Sequence, residues 1–255
     1  MRLGRFLIRF FHPLFWLVFP YKVVGREYLP KKGDSTPLVL CCNHISYIDP
    51  VYLLMAQPRH IYFMGKEELF HSWFGRWFLG KQMGVFAVSR GKGDINAIEV
   101  AKGIVNEGKL MGIFPEGTRS KDGALGRGKS GASLIVSQTG ASVIPACVVT
   151  KGQKVRVFRR ATIAFGPLLT PEELHLQNPE KPELRYGSRK IMESIEALMR
   201  QNGWQPPAGQ ADDRAAGAPA AKCAAPGAGT PEDRPASGSA QKPASGPPSN
   251  GEAGA

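Results

Sequence analysis

The chain has 255 residues, with 33 Lys and Arg against 21 Asp and Glu, which gives a formal net charge of +12. Ordinary domains contain about 100–200 residues, so this length allows one or two of them. The positive charge predicts a polyanionic partner: nucleic acid, an anionic membrane surface or a phosphorylated substrate. The cysteines have no spacing typical of a zinc site or a disulfide framework, which indicates a reducing compartment.

The composition changes sharply near residue 205. The segment 205–255 contains 15 Ala, 9 Pro and 8 Gly, and it has no Val, Ile, Leu, Met, Phe, Tyr or Trp. Such a segment has almost no apolar area to offset chain entropy, so we predict that this tail is disordered. The rest is predicted to form a membrane-interface segment at 1–30 and one domain at 31–204. This body carries the charge, because the tail has four basic and five acidic residues.

The N-terminal segment has the pattern of a helix that lies on a membrane. Its longest uncharged stretch, 10–21, is 12 residues long, whereas a spanning helix needs about 20. Basic side chains share one helical face: Arg2, Arg5, Arg9 and His12. Apolar side chains cover the opposite side: Leu3, Phe6, Leu7, Phe10 and Phe11. Two such faces are typical of an interfacial helix on anionic lipid, and an amphipathic helix docked on the core is the alternative.

Predicted strands and helices alternate along the body. Strands are predicted at 36–42, 60–64, 85–88, 110–114, 143–149 and 155–165. Helices are predicted at 50–57, 69–79, 95–107, 131–138 and 188–201. Asp49 is the predicted N-cap of the helix at 50–57, and the last helix carries Ile191, Ile195 and Leu198 on one face. The alternation predicts a single α/β domain with a central, mostly apolar β-sheet flanked by helices.

The predicted helix at 69–79 has a wide aromatic face. The aromatic side chains lie at helical spacing: Phe70, Trp73, Phe74, Trp77 and Phe78. A helix that faces the core and a helix that contacts a membrane or an acyl chain explain this face equally well.

A histidine and an aspartate follow the first buried strand of the body, in the sequence NHISYID. Ligand sites in α/β sheets gather at strand ends, so His44 and Asp49 are candidate site residues. If the loop folds back, the carboxylate can hold one ring nitrogen and leave the other as a general base. Asp49 as a simple helix cap and His44 as a simple loop residue are the alternatives. No Gly-x-Ser-x-Gly motif is present, and Cys42 is predicted to be an apolar strand residue.

Two further segments place charged residues just past predicted strands. Arg90 follows the strand at 85–88, and the sequence FPEGTRS brings Arg119 after the strand at 110–114. Two guanidinium groups can bind one phosphate in bidentate fashion, and Gly117 would let backbone N–H groups approach an anion. Taken singly, each segment is an ordinary charged turn.

The sequence also contains a motif of the type G-x-x-x-x-G-K-[ST], at 123–130. In nucleotide hydrolases this phosphate-binding loop leaves a strand directly, whereas here a polar segment separates it from the strand at 110–114. We therefore interpret 123–130 as a flexible basic loop near an anionic substrate.

The ordered combination of these segments resembles the glycerolipid acyltransferases, and most closely the bacterial lysophosphatidic acid acyltransferases. NHISYID matches the H-x4-D block of that family, 84–90 matches its second block, and FPEGTRS matches its third. The sequence VIPA at 143–146 matches the proline-containing fourth block, and KEEL at 66–69 is similar to a linker common there. Two positions depart from the family pattern: Ser89 precedes the second-block arginine, and Leu125 stands where phenylalanine is common.

The resemblance implies acyl transfer to lysophosphatidic acid, with His44 as general base and Asp49 as the residue that orients it. It implies that the acceptor's phosphate and glycerol are held by five residues: Arg90, Glu116, Gly117, Thr118 and Arg119. The donor would be acyl-CoA or acyl carrier protein, transfer would be direct, and no metal or other cofactor is expected.

The setting implied by the resemblance is a peripheral or monotopic position on the cytoplasmic face of the cell membrane. Lysophospholipid and the anionic membrane surface are then the expected partners, and nucleic acid is not. Two alternatives stay open: another acceptor, such as a lyso-ornithine lipid or glycerol 3-phosphate, and a basic membrane-binding protein without catalysis.

Overall fold

The computed structural model describes residues 2–31, 33–73, 76–88 and 94–207. Its α-helices are α1 (Arg2–Val18), α2 (Asp49–Ala56), α3 (Asp94–Asn106), α4 (Gly131–Thr139) and α5 (Lys181–Gln201). Its strands are β1 (Tyr21–Val24), β2 (Leu38–Cys42), β3 (Ile61–Lys66), β4 (Val85–Val88), β5 (Leu110–Ile113), β6 (Ser142–Thr150) and β7 (Ala161–Phe165). The chain divides into two units, Met1–Ala216 and Gly217–Ala255, and the second lies wholly outside the described residues.

The described strands form one seven-stranded sheet in the order β1-β7-β6-β2-β5-β3-β4. Neighbours pair in parallel except β6 and β7, which are antiparallel. Strands β2 and β5 are adjacent at the centre, with Cys41 beside Ile113. Because these strands run in the same direction, the segments that follow them emerge together at one edge of the sheet.

Side chains alternate across the sheet and form two apolar clusters. Val39 and Cys41 of β2 belong to the cluster that α3, α4 and α5 cover. Leu38, Leu40 and Cys42 belong to the other cluster, which includes Tyr52 of α2 and packs against the end of α1. Strand β2 is therefore buried on both faces. Its sequence, LVLCC, is apolar throughout, as expected for such a strand. The predicted α/β fold is confirmed.

Three predicted elements differ from the structure. The strand predicted at 155–165 begins only at Ala161, because residues 151–160 form the connection from β6 and pair with no described strand. The helix predicted at 69–79 is a 3₁₀ turn at Glu67–Phe70 and a π-helix at Arg76–Gln82. Helix α5 begins seven residues earlier than predicted, at Lys181, where Glu180 and Glu183 form a capping box with the backbone.

Strand β1 was not predicted, since YKVV is too short to show a period. It joins the sheet edge beside β7, with Tyr21 opposite Ala161. The edge strand therefore connects α1 directly to the domain.

Helix α1 packs on the domain with one side and exposes apolar side chains on the other. Phe15 lies against the ring of Tyr52, and His12 hydrogen-bonds the hydroxyl of Tyr21 over 2.8 Å. Its exposed apolar face consists of Phe6, Phe10, Leu14 and Leu17, each between 57% and 64% exposed. Within the described residues, no helix combines the length and the apolar character needed to cross a membrane.

Candidate active site

The candidate site begins at the end of β2, where backbone pairing between β2 and β6 ends. After Cys42, the side chain of Asn43 replaces the backbone of β2 as the hydrogen-bonding partner of β6. Its amide nitrogen donates to the Val148 carbonyl over 3.0 Å, and its Oδ1 accepts from the Val148 N–H over 2.8 Å. Because the side chain satisfies both backbone groups of β6, the backbone of the next residue is free to turn away from the sheet. Asn43 is buried and thus fixes the point at which the loop carrying His44 leaves the sheet.

The loop between His44 and Asp49 folds back, as one reading of the sequence predicted, and the two side chains meet. His44 Nδ1 lies 2.8 Å from Asp49 Oδ2, and the aspartate side chain is fully buried. The same oxygen accepts the backbone N–H groups of Ile45 and Ser46, each over 2.7 Å. The carboxylate therefore closes the loop and holds the imidazole at the same time.

The prediction that Asp49 is an N-cap is wrong by one position. The cap is Ile48, Asp49 is the first residue of α2, and no side-chain cap hydrogen bond forms. The carboxylate is directed back to the loop instead of forward along the helix, because the N–H groups at 45 and 46 and the ring of His44 surround it.

The geometry determines the tautomer of His44. A carboxylate accepts hydrogen bonds, so Nδ1 carries the proton and Nε2 presents a lone pair. The ring stacks on Phe114 with centroids 4.0 Å apart, and Phe114 in turn stacks on Phe63. The ring of His44 is thus held by Asp49 and Phe114, while 17% of its side chain stays exposed to solvent.

Glu116 lies under the loop rather than at its surface. It is buried, and it accepts the N–H of His44 at one carboxylate oxygen (3.0 Å) and the N–H of Gly126 at the other (2.8 Å). Burial raises the pKa of this carboxyl, while the two backbone hydrogen bonds act in the opposite direction. Both oxygens are thus engaged in joining the loop of His44 to the segment around Gly126.

The next three residues of the third block are exposed: Gly117, Thr118 and Arg119. The Arg119 guanidinium lies 3.4 Å from the centroid of the Tyr47 ring, and Tyr47 is itself 72% exposed. Gly117 has a φ of 70°, and a Cβ there would meet the Lys129 ammonium at 2.9 Å. Neither Arg119 nor Lys129 forms an ion pair within the described part of the chain, so two cations lie beside the histidine loop.

Two further features of the sequence analysis concern the second block and Cys42. Ser89 and Arg90 lie outside the described residues, although β4, which precedes them, is described at the far edge of the sheet. Burial raises the pKa of the Cys42 thiol well above its usual range, so Cys42 is a core residue and not a thiolate nucleophile. In the described ranges, no group of three or more His, Cys, Asp or Glu side chains could hold a metal ion.

In the structure, the G-x-x-x-x-G-K-[ST] motif at 123–130 does not directly follow a strand, in agreement with the interpretation that it is not a nucleotide-binding loop. Strand β5 ends at Ile113, the third block follows, and α4 begins only at Gly131. Lys129 of the motif donates its backbone N–H to the Pro115 carbonyl over 2.8 Å, so the segment lies along the third block.

The sequence interpretation gave no role to three residues here: Asn43, Tyr47 and Lys129. Asn43 and Tyr47 stand within the first block, and Lys129 within the nucleotide-like motif, so position near a block was the available signal. Their partners, Val148, Arg119 and Gly117, are distant in sequence, and no local pattern identifies such pairs.

A histidine held by a buried carboxylate at the carboxyl edge of parallel strands defines the class: an α/β protein with a candidate site built on a His–Asp pair. The comparisons with known proteins make this more specific. The chain belongs to the Acyltransferase family, whose model matches residues 20–149.

Several relatives carry a more detailed name. A 1-acyl-sn-glycerol-3-phosphate acyltransferase of Bacillus subtilis is 31% identical over 166 residues, which are 63% of this chain and 79% of that protein. A chloroplast protein of the same name from Arabidopsis thaliana is 30% identical over 141 residues, or 53% of this chain. The chain spans only 38% of the length of that relative and of a similar one from Brassica napus.

A solved structure shares the fold. The crystal structure of a 1-acyl-sn-glycerophosphate (LPA) acyltransferase from Thermotoga maritima superposes with a TM-score of 0.58 and 24% identity. It covers 79% of this chain and 81% of that chain, so the likeness extends through most of the α/β domain.

Proposed function

We propose that this protein transfers a fatty acyl group from an acyl thioester to the free hydroxyl of lysophosphatidic acid, which gives phosphatidic acid. The observation that carries the proposal is the 2.8 Å contact of His44 with the buried Asp49 in a chain of the Acyltransferase family. The names of the Bacillus, Arabidopsis and Brassica relatives support the choice of acceptor.

The reaction follows from the orientation of the imidazole. His44 Nε2 takes the proton of the acceptor hydroxyl, and the oxygen attacks the thioester carbonyl to form a tetrahedral intermediate. When this collapses, the C–S bond breaks and the imidazolium returns its proton to the departing thiolate. An ester and a free thiol result, and no acyl-enzyme forms. Asp49 keeps Nδ1 protonated and stabilises the imidazolium between the two steps.

The acceptor's phosphate is assigned to the exposed cations beside the loop. Arg119 lies over Tyr47, and the exposed Lys129 is a further cation, with its ammonium beside Gly117. Arg90, following β4, is proposed as a second guanidinium, and Thr118 as a hydrogen-bond partner. Glu116, whose oxygens bond two backbone N–H groups, supports this surface from beneath.

The proposed setting is the cytoplasmic face of a membrane, where thioester donors and lysolipid meet. The exposed side of α1 supports it, because Phe6, Phe10, Leu14 and Leu17 present a continuous apolar stripe that has no partner within the described residues. Such a stripe on a helix that is docked by its other side suits a peripheral or monotopic attachment.

His44→Ala tests the proposal. We expect turnover of acyl thioester and lysophosphatidic acid to fall by about 10²–10⁴-fold, since this is what a positioned general base contributes. His175→Asn, at a loop position whose φ is 56°, is the matched control and should retain activity, because asparagine tolerates that conformation. The acceptor panel should include glycerol 3-phosphate and a lyso-ornithine lipid, and the donors acyl-CoA and acylated carrier protein. Full activity of His44→Ala, or acylation of a different acceptor in preference, would contradict the proposal.

A further inference from the structure

The connection between β6 and β7 is a basic loop, residues 151–160, that carries an apolar tip. All five of its cations are exposed: Lys151, Lys154, Arg156, Arg159 and Arg160. No acidic residue occurs in the chain between Asp122 and Glu172, and none of the five cations forms an ion pair within the described residues. The loop therefore presents a concentrated positive charge that the protein itself does not neutralise.

The tip of the basic loop is hydrophobic and turned outward. The Arg159 N–H donates to the Arg156 carbonyl over 3.3 Å, which closes a turn with Val157 and Phe158 at its centre. Val157 is 53% exposed and Phe158 is 70% exposed. Val155, by contrast, packs on the core cluster that contains Tyr52, so the base of the loop is fixed while its tip projects.

The conformation of Phe158 is unusual for its residue type. Its φ is 58°, in the left-handed region that bulky residues rarely adopt. This backbone is strained, and it does not bury the ring. Gln153 and His175 share this conformation, so what distinguishes Phe158 is that a bulky aromatic ring is held exposed in it.

The basic loop adjoins the end of α1. The Phe158 N–H donates to the Val18 carbonyl over 2.7 Å, and the Ala161 N–H donates to the Pro20 carbonyl over 2.9 Å. Leu17, 62% exposed, is the last member of the apolar stripe of α1. The apolar tip and the apolar stripe are thus held next to each other by backbone hydrogen bonds.

We propose that the basic loop is a second lipid-contacting element: Val157 and Phe158 insert into the interface of an anionic bilayer while the five cations bind lipid phosphates. Charge complementarity and continuity with the stripe of α1 select a bilayer as the occupant. Two attachment points, the loop and the helix, also give more stable anchoring than a single one. The inference concerns attachment and not the chemistry at His44, so it is measured without turnover.

The charge test uses the full chain and two triple variants of equal charge change. Arg156→Gln, Arg159→Gln and Arg160→Gln together should weaken co-sedimentation with phosphatidylcholine vesicles containing phosphatidylglycerol by about tenfold or more. The control replaces Lys181, Arg185 and Arg189 of α5 with Gln and should bind within about twofold of the wild type. Equal losses in the two variants would mean that net charge alone matters and would overturn the proposal.

The insertion test uses Phe158→Asn, because asparagine adopts a positive φ and leaves the turn intact. Leu168→Asn, at an exposed position of the segment after β7, is the control. We expect Phe158→Asn to bind the anionic vesicles about tenfold more weakly, with an unchanged far-ultraviolet circular dichroism spectrum and a thermal midpoint no lower than that of the wild type, and the control to bind normally.

One pattern of results would assign the basic loop to a protein partner instead. If the loop variants bind vesicles as the wild type does, but lose kcat/KM only with the thioester of the acidic carrier protein, the loop contacts that carrier. Wild-type protein that fails to bind anionic vesicles would also overturn the proposal, and neither result bears on the acyl-transfer proposal at His44.

Discussion

At the scale of single residues, one carboxylate oxygen organises the site. Asp49 Oδ2 accepts two backbone N–H groups and lies 2.8 Å from His44 Nδ1, whereas the buried Oδ1 has no hydrogen-bond partner among the described residues. In the proposed reaction, the aspartate is used in two ways: it accepts the hydrogen bonds that close the loop between Asn43 and α2 and hold His44, and it stabilises the imidazolium that forms when His44 takes a proton. The first use requires only an acceptor, and the second requires the charge.

Asp49→Asn separates these two uses. An asparagine oxygen can accept the same three hydrogen bonds, and its amide group would occupy the position of the unpartnered Oδ1. The fold should persist, but the imidazolium would lose its counter-charge, so we expect kcat to fall by about 10²–10⁴-fold with little change in the KM of the acceptor. Steady-state kinetics alongside thermal unfolding measures this, and a variant with wild-type kcat would show that the charge is dispensable.

The Arg119 guanidinium stacks on the face of the Tyr47 ring in a cation–π contact. At an exposed site, a cation–π contact contributes about 0.5–1 kcal/mol. If Arg119 binds the acceptor's phosphate in this orientation, Tyr47→Ala should raise the KM of the acceptor about two- to fivefold and leave the KM of the donor unchanged. Tyr47→Phe keeps the ring and should behave as the wild type does. A rise confined to the donor KM would place the contact elsewhere in the reaction.

At the scale of elements, the carboxyl ends of β2 and β5 determine the geometry. Parallel pairing places Cys41 beside Ile113, so NHISYID and FPEGTRS emerge as neighbours although about 70 residues separate them in the chain. Hydrogen bonds then join the two segments directly: the Ser120 N–H donates to the His44 carbonyl, and the His44 N–H donates to Glu116. The site is therefore a property of the strand pair and not of either loop.

The Asn43 side chain connects the end of β2 to β6, just before the loop that carries His44. Asn43→Ala would leave the Val148 N–H and carbonyl buried without partners, and each unsatisfied group costs about 1–3 kcal/mol. We expect the free energy of unfolding, from chemical denaturation, to fall by about 2–6 kcal/mol. Asn43→Asp, which retains an acceptor for the Val148 N–H and loses only the donor, is the graded comparison. Equal stability of Asn43→Ala and the wild type would show that the ladder does not depend on this side chain.

At the scale of the whole molecule, two groups of exposed cations in the described part of the body carry the two proposals. One set lies beside the histidine loop, and the other forms the basic loop next to the apolar stripe of α1. The predicted boundaries at 30 and 204 stay predictions, as does the disorder of the tail, since 208–255 lie outside the described residues. The two proposals, acyl transfer at His44 and lipid contact by the basic loop, therefore concern different parts of one α/β domain.

Global stability should depend on pH through Glu116. Burial raises the pKa of its carboxyl above the ordinary value of about 4.3, so between these two values the folded state binds more protons than the unfolded state. The stability of the wild type therefore falls as pH rises through this window, from about 4.3 up to the raised pKa. Glu116→Gln cannot titrate, so the difference in free energy of unfolding, wild type minus variant, should decrease across it. Denaturation at closely spaced pH values measures this difference, and a constant value would show that Glu116 is not linked to folding.

The sequence by itself determined the class of fold, and it singled out His44, Asp49 and the third block as candidate site residues. Continuous apolar runs such as LVLCC, alternating with helical patterns, predict a central, mostly apolar sheet flanked by helices, and the ordered blocks indicate a resemblance to the glycerolipid acyltransferases. These features are local, because each depends on side chains within about ten residues of one another.

Only the tertiary structure decided how those residues meet. Residues 155–160 have the alternation of a strand, yet no neighbouring strand extends far enough to pair with them, so they form the basic loop. Asp49 has the sequence context of a helix cap, yet the ring of His44 and two N–H groups of the loop draw its carboxylate away from the helix. Strand pairing and hydrogen bonds between distant segments depend on which partners the fold brings within reach. A local sequence pattern does not identify those partners.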